Sequence, residues 1–394
     1  MKRAELKRIV LATGRAEERE GVVFLCDPGW SAADRAHVAG LQRRASEDGD
    51  NEAGWLCLPT GGTSGGIRFA RHDEHTLGAS IAGFRAHFGI DKVNALDVLP
   101  ASHVSGLMAR IRCAATGGEH VAWSWKQLEA GEWPELPTKA DGRFLSLVPT
   151  QLQRLLANAA AVDRLRRFRA VFLGGGPVWT ELADSAAAAG VPVVTAYGMT
   201  ETGAMVVAQT PAEFAAGDRS CGRPMAHARI EVIDELSGES LPQGSTGVVR
   251  ITGESLFRGY WPEKRGMRSL LTDDLGRFDA NGRLSILGRR DAVIITGGKK
   301  VHPAEVEAAL RLSGEFSDVA VIGVPDAQWG RMVVACHPPC AEAPDSGKID
   351  AALAGLAAYK RPKKILSIAP WPLSAVGKLN RAALVAAASA EIDH

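Results

Sequence analysis

The sequence predicts an α/β protein in two parts. The first is a large N-terminal domain of parallel α/β sheets with a small β-barrel or antiparallel sheet. The second is a small α+β C-terminal domain. Three observations carry this. Short β-rich runs alternate with alanine-rich helical stretches, the pattern of a parallel sheet with helices on its faces. The 394 residues exceed what one ordinary core supports, so two or more domains are expected. From about Arg229 the alternation gives way to short strands between Gly and Pro turns.

The elements follow in order. Phe168–Leu173 reads as a strand, Gly174–Pro177 as a turn, Val178–Ala189 as a helix and Val191–Tyr197 as the next strand, one β-turn-α-β unit. Arg229–Asp234, Gly247–Thr252 and Arg283–Leu287 read as short strands. After a boundary near Asp291 come a strand at Ala292–Thr296, a helix at Pro303–Leu310 and a strand at Val319–Val324. Proline suits the first turn of that helix. Residues 341–347 read as an exposed loop, and no internal repeat is evident.

Composition excludes several classes. With 46% hydrophobic and 23% charged residues the chain is globular rather than disordered. A formal net charge of +1 provides no field for nucleic acid or an anionic membrane. The cysteines at 26, 57, 113, 221, 336 and 340 show no CxxC or Cys/His zinc spacing, so reduced thiols in a cytoplasmic protein are expected. No stretch approaches the roughly 18 apolar residues of a membrane span, and the basic start is not followed by a signal-peptide core.

Four segments carry chemistry. Leu58-Pro-Thr-Gly-Gly-Thr-Ser-Gly-Gly-Ile-Arg68 is rich in glycine and hydroxyls. Without Cβ atoms in the way, the backbone N–H groups and hydroxyls of Thr60, Gly61, Gly62, Thr63, Ser64 and Gly65 can approach phosphate oxygens, and Arg68 adds charge. It is not a Walker loop, because no Gly-Lys-Ser/Thr follows at the required spacing. Tyr197-Gly-Met-Thr-Glu-Thr-Gly203 follows a strand, where ligands sit in open parallel sheets. Glu201 is a hard oxygen ligand suited to Mg2+, Thr200 can donate to a phosphate oxygen, and Tyr197, followed by Gly198, can stack on or border an adenine. Leu271-Thr-Asp-Asp-Leu-Gly276 and Gly288-Arg-Arg-Asp291 form the third region. The fourth is Pro372-Leu-Ser-Ala-Val-Gly-Lys-Leu-Asn-Arg381, where Lys378 follows a flexible run and can bring one positive charge to a reacting centre. Taken singly, each has a plain structural alternative: a surface turn, a carboxylate at a helix start, an Asx turn, a solvated lysine.

Together and in this order, from about Trp55 to Arg381, the four segments resemble the adenylate-forming superfamily of acyl-CoA synthetases and luciferases. The resemblance implies ATP, Mg2+ and CoA as cofactor and substrates, and a small carboxylic acid as the reaction partner. It assigns Gly174, Gly175 and Gly176 to an adenine-side loop, Asp274 to the ribose hydroxyls, Arg289 to ribose and phosphate support, Asp291 to a hinge and Lys378 to the adenylation step. The family usually has glycine where Asp273 stands, so which aspartate meets the ribose stays open. The family's lysine at the end of the phosphate loop is Arg68 here. Lys299 and Lys300 meet either CoA phosphates or only solvent. The segment before the phosphate loop is far shorter than the family's, which leaves packing for a partner chain or a second copy to supply.

Ala101-Ser-His-Val-Ser-Gly-Leu107 and Ser146-Leu-Val-Pro-Thr-Gln-Leu152 resemble the acyl-pocket segments of one branch, the o-succinylbenzoate–CoA ligases of menaquinone synthesis. That implies substrate roles for His103, Ser146 and Thr150, and a cationic partner for the second carboxylate of an aromatic dicarboxylate. Spacing from His103 assigns that partner to Arg112 by resemblance, whereas helical periodicity puts Arg110 on the face of His103. Other readings are another aryl-acid ligase, an adenylating subunit that loads a carrier protein, and a catalytically inactive scaffold.

Overall fold

The computed structural model describes residues 1–45, 54–61, 66–136, 142–263, 267–373 and 379–393. They gather into two compact units. The first holds Met1–Val178, Leu182–Thr272 and Arg277–Ser285, the second Trp179–Glu181, Asp273–Gly276 and Ile286–His394.

The first unit opens with β1 (Ala16–Arg19), β2 (Val22–Leu25), β3 (Leu56–Gly61) and β4 (Ile67–His72), adjacent in that order. All four residues of β2 are buried, as expected of an apolar run covered on both faces. β3 and β4 pair antiparallel, with Thr60 opposite Arg68 and Gly61 opposite Ile67, so both flanks of the phosphate-loop segment are tied to strands.

The second sheet contains β5 (Asn94–Asp97), β6 (His120–Ala122), β7 (Arg143–Leu147), β8 (Ala170–Leu173), β9 (Val193–Met199), β10 (Ala204–Ala208) and β11 (Arg223–Pro224), in the order β11-β10-β9-β8-β7-β5-β6. From β9 to β6 every pairing is parallel, the arrangement expected from sequence. The helices are α1 (Arg3–Leu11), α2 (Ala32–Gln42), α3 (Glu74–Phe88), α4 (Val104–Ala115), α5 (Trp125–Glu129), α6 (Pro149–Leu156), α7 (Ala159–Leu165), α8 (Thr180–Ala188) and α9 (Pro211–Ala215). Phe84 and Phe88, one turn apart on α3, seat that helix on the sheet. Phe84 meets Phe144 of β7 at 5.3 Å between ring centroids, and Phe88 meets Phe172 of β8 at 5.3 Å. Asp73 caps α3 by accepting from the backbone N–H of His75 and Thr76.

The predicted β-turn-α-β unit is present with shifted ends. Its second strand starts at Val193 because Pro192 has no N–H to give to a ladder. Where a barrel or antiparallel sheet was expected, β12 (Ala228–Ile233), β13 (Gly247–Gly253), β15 (Leu270–Phe278) and β16 (Leu284–Arg289) form a four-stranded sheet in that order. Between them, β14 (Tyr260–Trp261) leaves to join the first sheet, with Tyr260 opposite Ala70 of β4.

After β16 the second unit contains a hairpin of β17 (Ile294–Thr296) and β18 (Lys299–Val301). Gly297 and Gly298 lie at φ of +52° and +75°, a two-residue turn that glycine makes without strain. Lys299 and Lys300 are exposed on β18. α10 (Pro303–Leu312) packs against β19 (Ala320–Asp326) and β20 (Gly330–His337), with β21 (Lys364–Ser367) parallel to β20. α11 (Ser346–Leu353) takes over the end of the predicted 341–347 loop. The Asp345 side chain accepts from the N–H groups of Gly347 and Lys348, so the helix starts at Ser346. α12 (Arg381–Asp393) covers the other sheet face through Leu384 and Ala388.

Candidate active site

β9, β8, β7 and β5 are parallel neighbours, so their C-terminal ends share one edge of the sheet. Each is followed by a segment singled out in the sequence: Thr200–Thr202 after β9, Gly174–Pro177 after β8, Val148–Thr150 after β7 and Ala101–His103 after β5. Such an edge is where open α/β sheets bind ligands. Ser146 closes toward the end of β7 and Thr150 lies in the first turn of α6, both half-buried. Gly175 and Gly176 are exposed. A Cβ at Gly174 would meet nothing within 4 Å, so this loop is open to a ligand. Gly198 has a different reason: a Cβ there would come within 2.1 Å of the Ala204 carbonyl, so β10 itself demands glycine. Tyr197 is buried at 9% exposure.

The turn bearing Glu201 is held on all sides within the first unit. Its backbone carbonyl accepts from Phe257 N–H at 2.8 Å. The Thr200 carbonyl lies 2.8 Å from His72 Nε2, and the Gly203 carbonyl accepts from Ser80 Oγ at 2.7 Å. Burial pushes the His72 pKa down to about 4, so the ring is neutral, with its proton on Nε2 donated to Thr200. The Glu201 carboxylate is 6% exposed, and Oε1 accepts from Tyr260 Oη at 2.9 Å and from Thr60 Oγ1 at 3.1 Å. Burial, then the charge of Glu201, raises the Tyr260 phenol above its ordinary value and keeps it a donor. The Arg68 guanidinium lies over the Tyr260 ring at 4.0 Å and is exposed beyond it. Among the described residues no lysine or arginine pairs with Glu201, and no three His, Cys, Asp or Glu cluster as a metal cage. One buried carboxylate with neutral donors, one of them Thr60 of the glycine-rich segment, fits Mg2+, which binds through one or two carboxylates plus substrate phosphates. Gly62, Thr63, Ser64 and Gly65 lie outside the described residues.

The two candidate acyl-pocket residues His103 and Arg112 have different neighbours. His103 is the N-cap of α4, and its Nε2 lies 3.0 Å from Asp27 Oδ2. Arg112 faces α3 instead. Its guanidinium stacks over Phe84 at 4.3 Å and its Nη2 donates to Ser80 Oγ at 3.5 Å. At 5% exposure it has no carboxylate partner among the described residues, its Nε is unpaired there, and burial holds its pKa down to about 10. Arg110 is half-buried, also with an unpaired Nε.

Within the second unit, Asp273 is engaged by Arg289 Nη2 at 3.2 Å and Arg290 Nε at 2.9 Å. Arg289 also forks onto Asp291, at 2.8 and 2.7 Å. These pairings, with Asp291 contributing most, raise the Arg289 pKa. They engage Asp273 in the exposed cluster around Arg289. Lys378 lies outside the described residues. On either side of it, Leu373 and Leu379 form an antiparallel bridge. Arg381, at the head of α12, donates to buried Glu307 at 2.6 Å and to the Val321 carbonyl at 2.9 Å.

Tyr260 and His72 are the residues that sequence reading missed. Tyr260 lies 59 positions from Glu201, and only the departure of β14 to the first sheet brings it there. One signal was available: the chain has three tyrosines, and Tyr260 follows a glycine between two runs already read as strands.

The AMP-binding enzyme family matches residues 8–261, and the AMP-binding enzyme C-terminal domain matches residues 305–378. The chain belongs to the AMP-binding enzyme family. It is 31% identical to a 2-succinylbenzoate–CoA ligase of Enterococcus faecalis, over 81% of this chain and 67% of that protein. It is 30% identical to one of Geobacillus kaustophilus, over 73% of this chain and 59% of that protein. A probable 2-succinylbenzoate–CoA ligase of Mycobacterium tuberculosis is 32% identical over 93% of both chains. The chain thus spans about three-fifths to two-thirds of the first two relatives and nearly all of the third. Among solved structures, o-succinylbenzoate coenzyme A synthetase (MenE) of Bacillus subtilis in complex with ATP and magnesium ion superposes with a TM-score of 0.71 at 25% identity, covering 90% of this chain and 77% of that one. No helix among the described residues is long and apolar enough to cross a membrane.

Proposed function

We propose that the chain is an ATP-dependent acid–CoA ligase acting through an acyl-adenylate, with o-succinylbenzoate as the acid and menaquinone synthesis as the setting. The observation that carries this reading is Glu201: a buried carboxylate without a cationic partner among the described residues, at the strand-end edge of a parallel sheet. The named activities of the relatives and the ATP and magnesium ion bound by the MenE neighbour support it. Six free thiols agree with a cytoplasmic setting.

Glu201 would hold Mg2+, which when bound would neutralise phosphate charge, and Thr60 with residues 62–65 would bind the phosphates. In the first half-reaction a carboxylate oxygen of the acid attacks the α-phosphorus of ATP, and the bond to the pyrophosphate oxygen breaks. Two anions meet there, and Lys378 offsets their repulsion as charge builds. In the second, the CoA thiolate attacks the acyl carbonyl and AMP leaves with the C–O electron pair. The same site must first admit Lys378 and then the thiol, so the domain from Asp291 onward rotates about that residue. Arg112 receives the second carboxylate of the acid. Pyrophosphate exchange with a panel of acids, with and without CoA, tests the reading. Exchange should depend on o-succinylbenzoate, and thioester should appear only with CoA. Exchange with no acid would overturn the activity, and preference for a monocarboxylic aryl acid would reassign the substrate. Lys378→Ala should lower adenylation on the order of 10²–10³-fold and leave CoA attack on supplied acyl-adenylate largely intact. An equal fall in both steps would remove Lys378 from the first.

A further inference from the structure

We propose that Tyr260 is a positioning residue for the metal–nucleotide complex, holding the Glu201 carboxylate and the Arg68 guanidinium at a set separation. The inference rests on the reading of Glu201 as the cation ligand. Three observations converge on this phenol. Its hydroxyl donates to Glu201 Oε1 at 2.9 Å, alongside Thr60 at 3.1 Å. Both described donors therefore fall on one carboxylate oxygen, which fixes the plane of the group and presents the other oxygen to a cation. Its ring supports Arg68 at 4.0 Å, and Arg68 Nη2 reaches back to the same hydroxyl at 3.4 Å. The ring itself cannot drift. Phe257 packs edge-on at 4.8 Å, and the backbone of Tyr260 is paired with Ala70 in β4, two positions along the strand from Arg68.

The local chain doubles the tether. Phe257 N–H donates to the Glu201 carbonyl, so a single stretch of four residues holds both the backbone and the side chain of the ligand. Under the proposed function Arg68 is the cation of the phosphate-binding segment, and an exposed arginine samples many rotamers unless a surface limits it. The tyrosine ring is that surface. One residue thus sets the spacing between the oxygen that takes the metal and the guanidinium that takes the phosphate.

The test uses the full chain and Mn2+ in place of Mg2+. Free Mn2+ is read by electron paramagnetic resonance as it is titrated into protein with saturating ATP, and ATP affinity is read separately by calorimetry in EDTA. Tyr260→Phe keeps the ring and removes the hydroxyl. It should weaken Mn2+ binding about tenfold, the scale of a hydrogen bond to a charged group, while ATP affinity in EDTA changes less than twofold. Tyr260→Leu removes the ring as well and should also weaken ATP in EDTA several-fold. If Tyr260→Phe binds Mn2+ like wild type, or loses ATP equally with and without metal, or shows only a lower melting temperature, the positioning role is wrong. If wild type itself shows no metal-dependent ATP binding, Glu201 is not the cation ligand and both readings fall.

Discussion

Glu201 in the first unit and Asp273 in the second are both carboxylates placed by β-structure, and they are satisfied in opposite ways. Glu201 is 6% exposed and receives two neutral hydroxyls. The Asp273 side chain is 44% exposed and receives two guanidinium groups, while Arg289 reaches on to Asp291. The second cluster neutralises itself in solvent, where each pair contributes little, about 0–1 kcal/mol. The first leaves a buried carboxylate with no directly paired cation among the described residues, an arrangement that costs stability. Arg112 is its mirror image: a buried cation resting on an aromatic ring and a serine hydroxyl. The same unit therefore contains a buried anion and a buried cation, neither paired with an opposite charge among the described residues. Substrates that bring a metal with phosphates and a second carboxylate would complete both.

Removing the buried anion should have the largest effect. Glu201→Gln keeps the shape, should lower pyrophosphate exchange by about 10²-fold, and should leave the ligand-free chain as stable as wild type or more so by roughly 1 kcal/mol. Urea unfolding without divalent cations checks the sign. A loss of several kcal/mol would show that Glu201 is already paired and would erase the contrast with Asp273.

Arg112→Ala should weaken use of the dicarboxylic acid about tenfold to a hundredfold relative to a matched monocarboxylic acid, the worth of one buried charge-assisted hydrogen bond. Competing-substrate kcat/KM measures it. Equal losses for both acids would make Arg112 a structural member of the α3–α4 interface and turn attention to Arg110.

The pH dependence of stability probes the same buried unit. Burial lowers the pKa of His72 and of His227 from the ordinary 6.5 to about 4. As pH falls below 6.5 the unfolded chain takes up protons that the native chain refuses down to about 4. Stability is therefore lost across that window, by about 2 kcal/mol per histidine at pH 5. His227→Gln should remove about half of this part of the loss, seen as a smaller drop between pH 7 and pH 5 in urea unfolding. An unchanged slope would mean that His227 is not held neutral.

The smallest effect belongs to the exposed cluster. Asp273→Asn should cost under about 1 kcal/mol, and salt should shrink that further. A loss above 2 kcal/mol, insensitive to salt, would show that the cluster is as tightly coupled as the buried one.

The sequence alone determined the parallel sheet, its β-turn-α-β unit, the change of character near Arg229 and the segments after β9, β8 and β7. These are local properties: apolar runs, glycine turns and helix starts act through neighbouring residues, so periodicity and turn chemistry expose them. The same holds for Gly174 to Gly176 and for Glu201, whose positions follow from the strand before each. What needed the tertiary structure is contact across long separations. Periodicity paired Arg110 with His103 along one helix face, but the face on which Arg112 lies acquires meaning only when α3 brings Phe84 and Ser80 against it. Gly198 read as part of a nucleotide motif, yet its smallness answers to the Ala204 carbonyl across a strand pair. No local signature joined Tyr260 or His72 to the Glu201 turn, because a hydrogen bond between residues 59 or 128 positions apart is set by strand order and not by composition. Local chemistry chose the elements; the order in which the sheets assembled decided which side chains would meet the carboxylate.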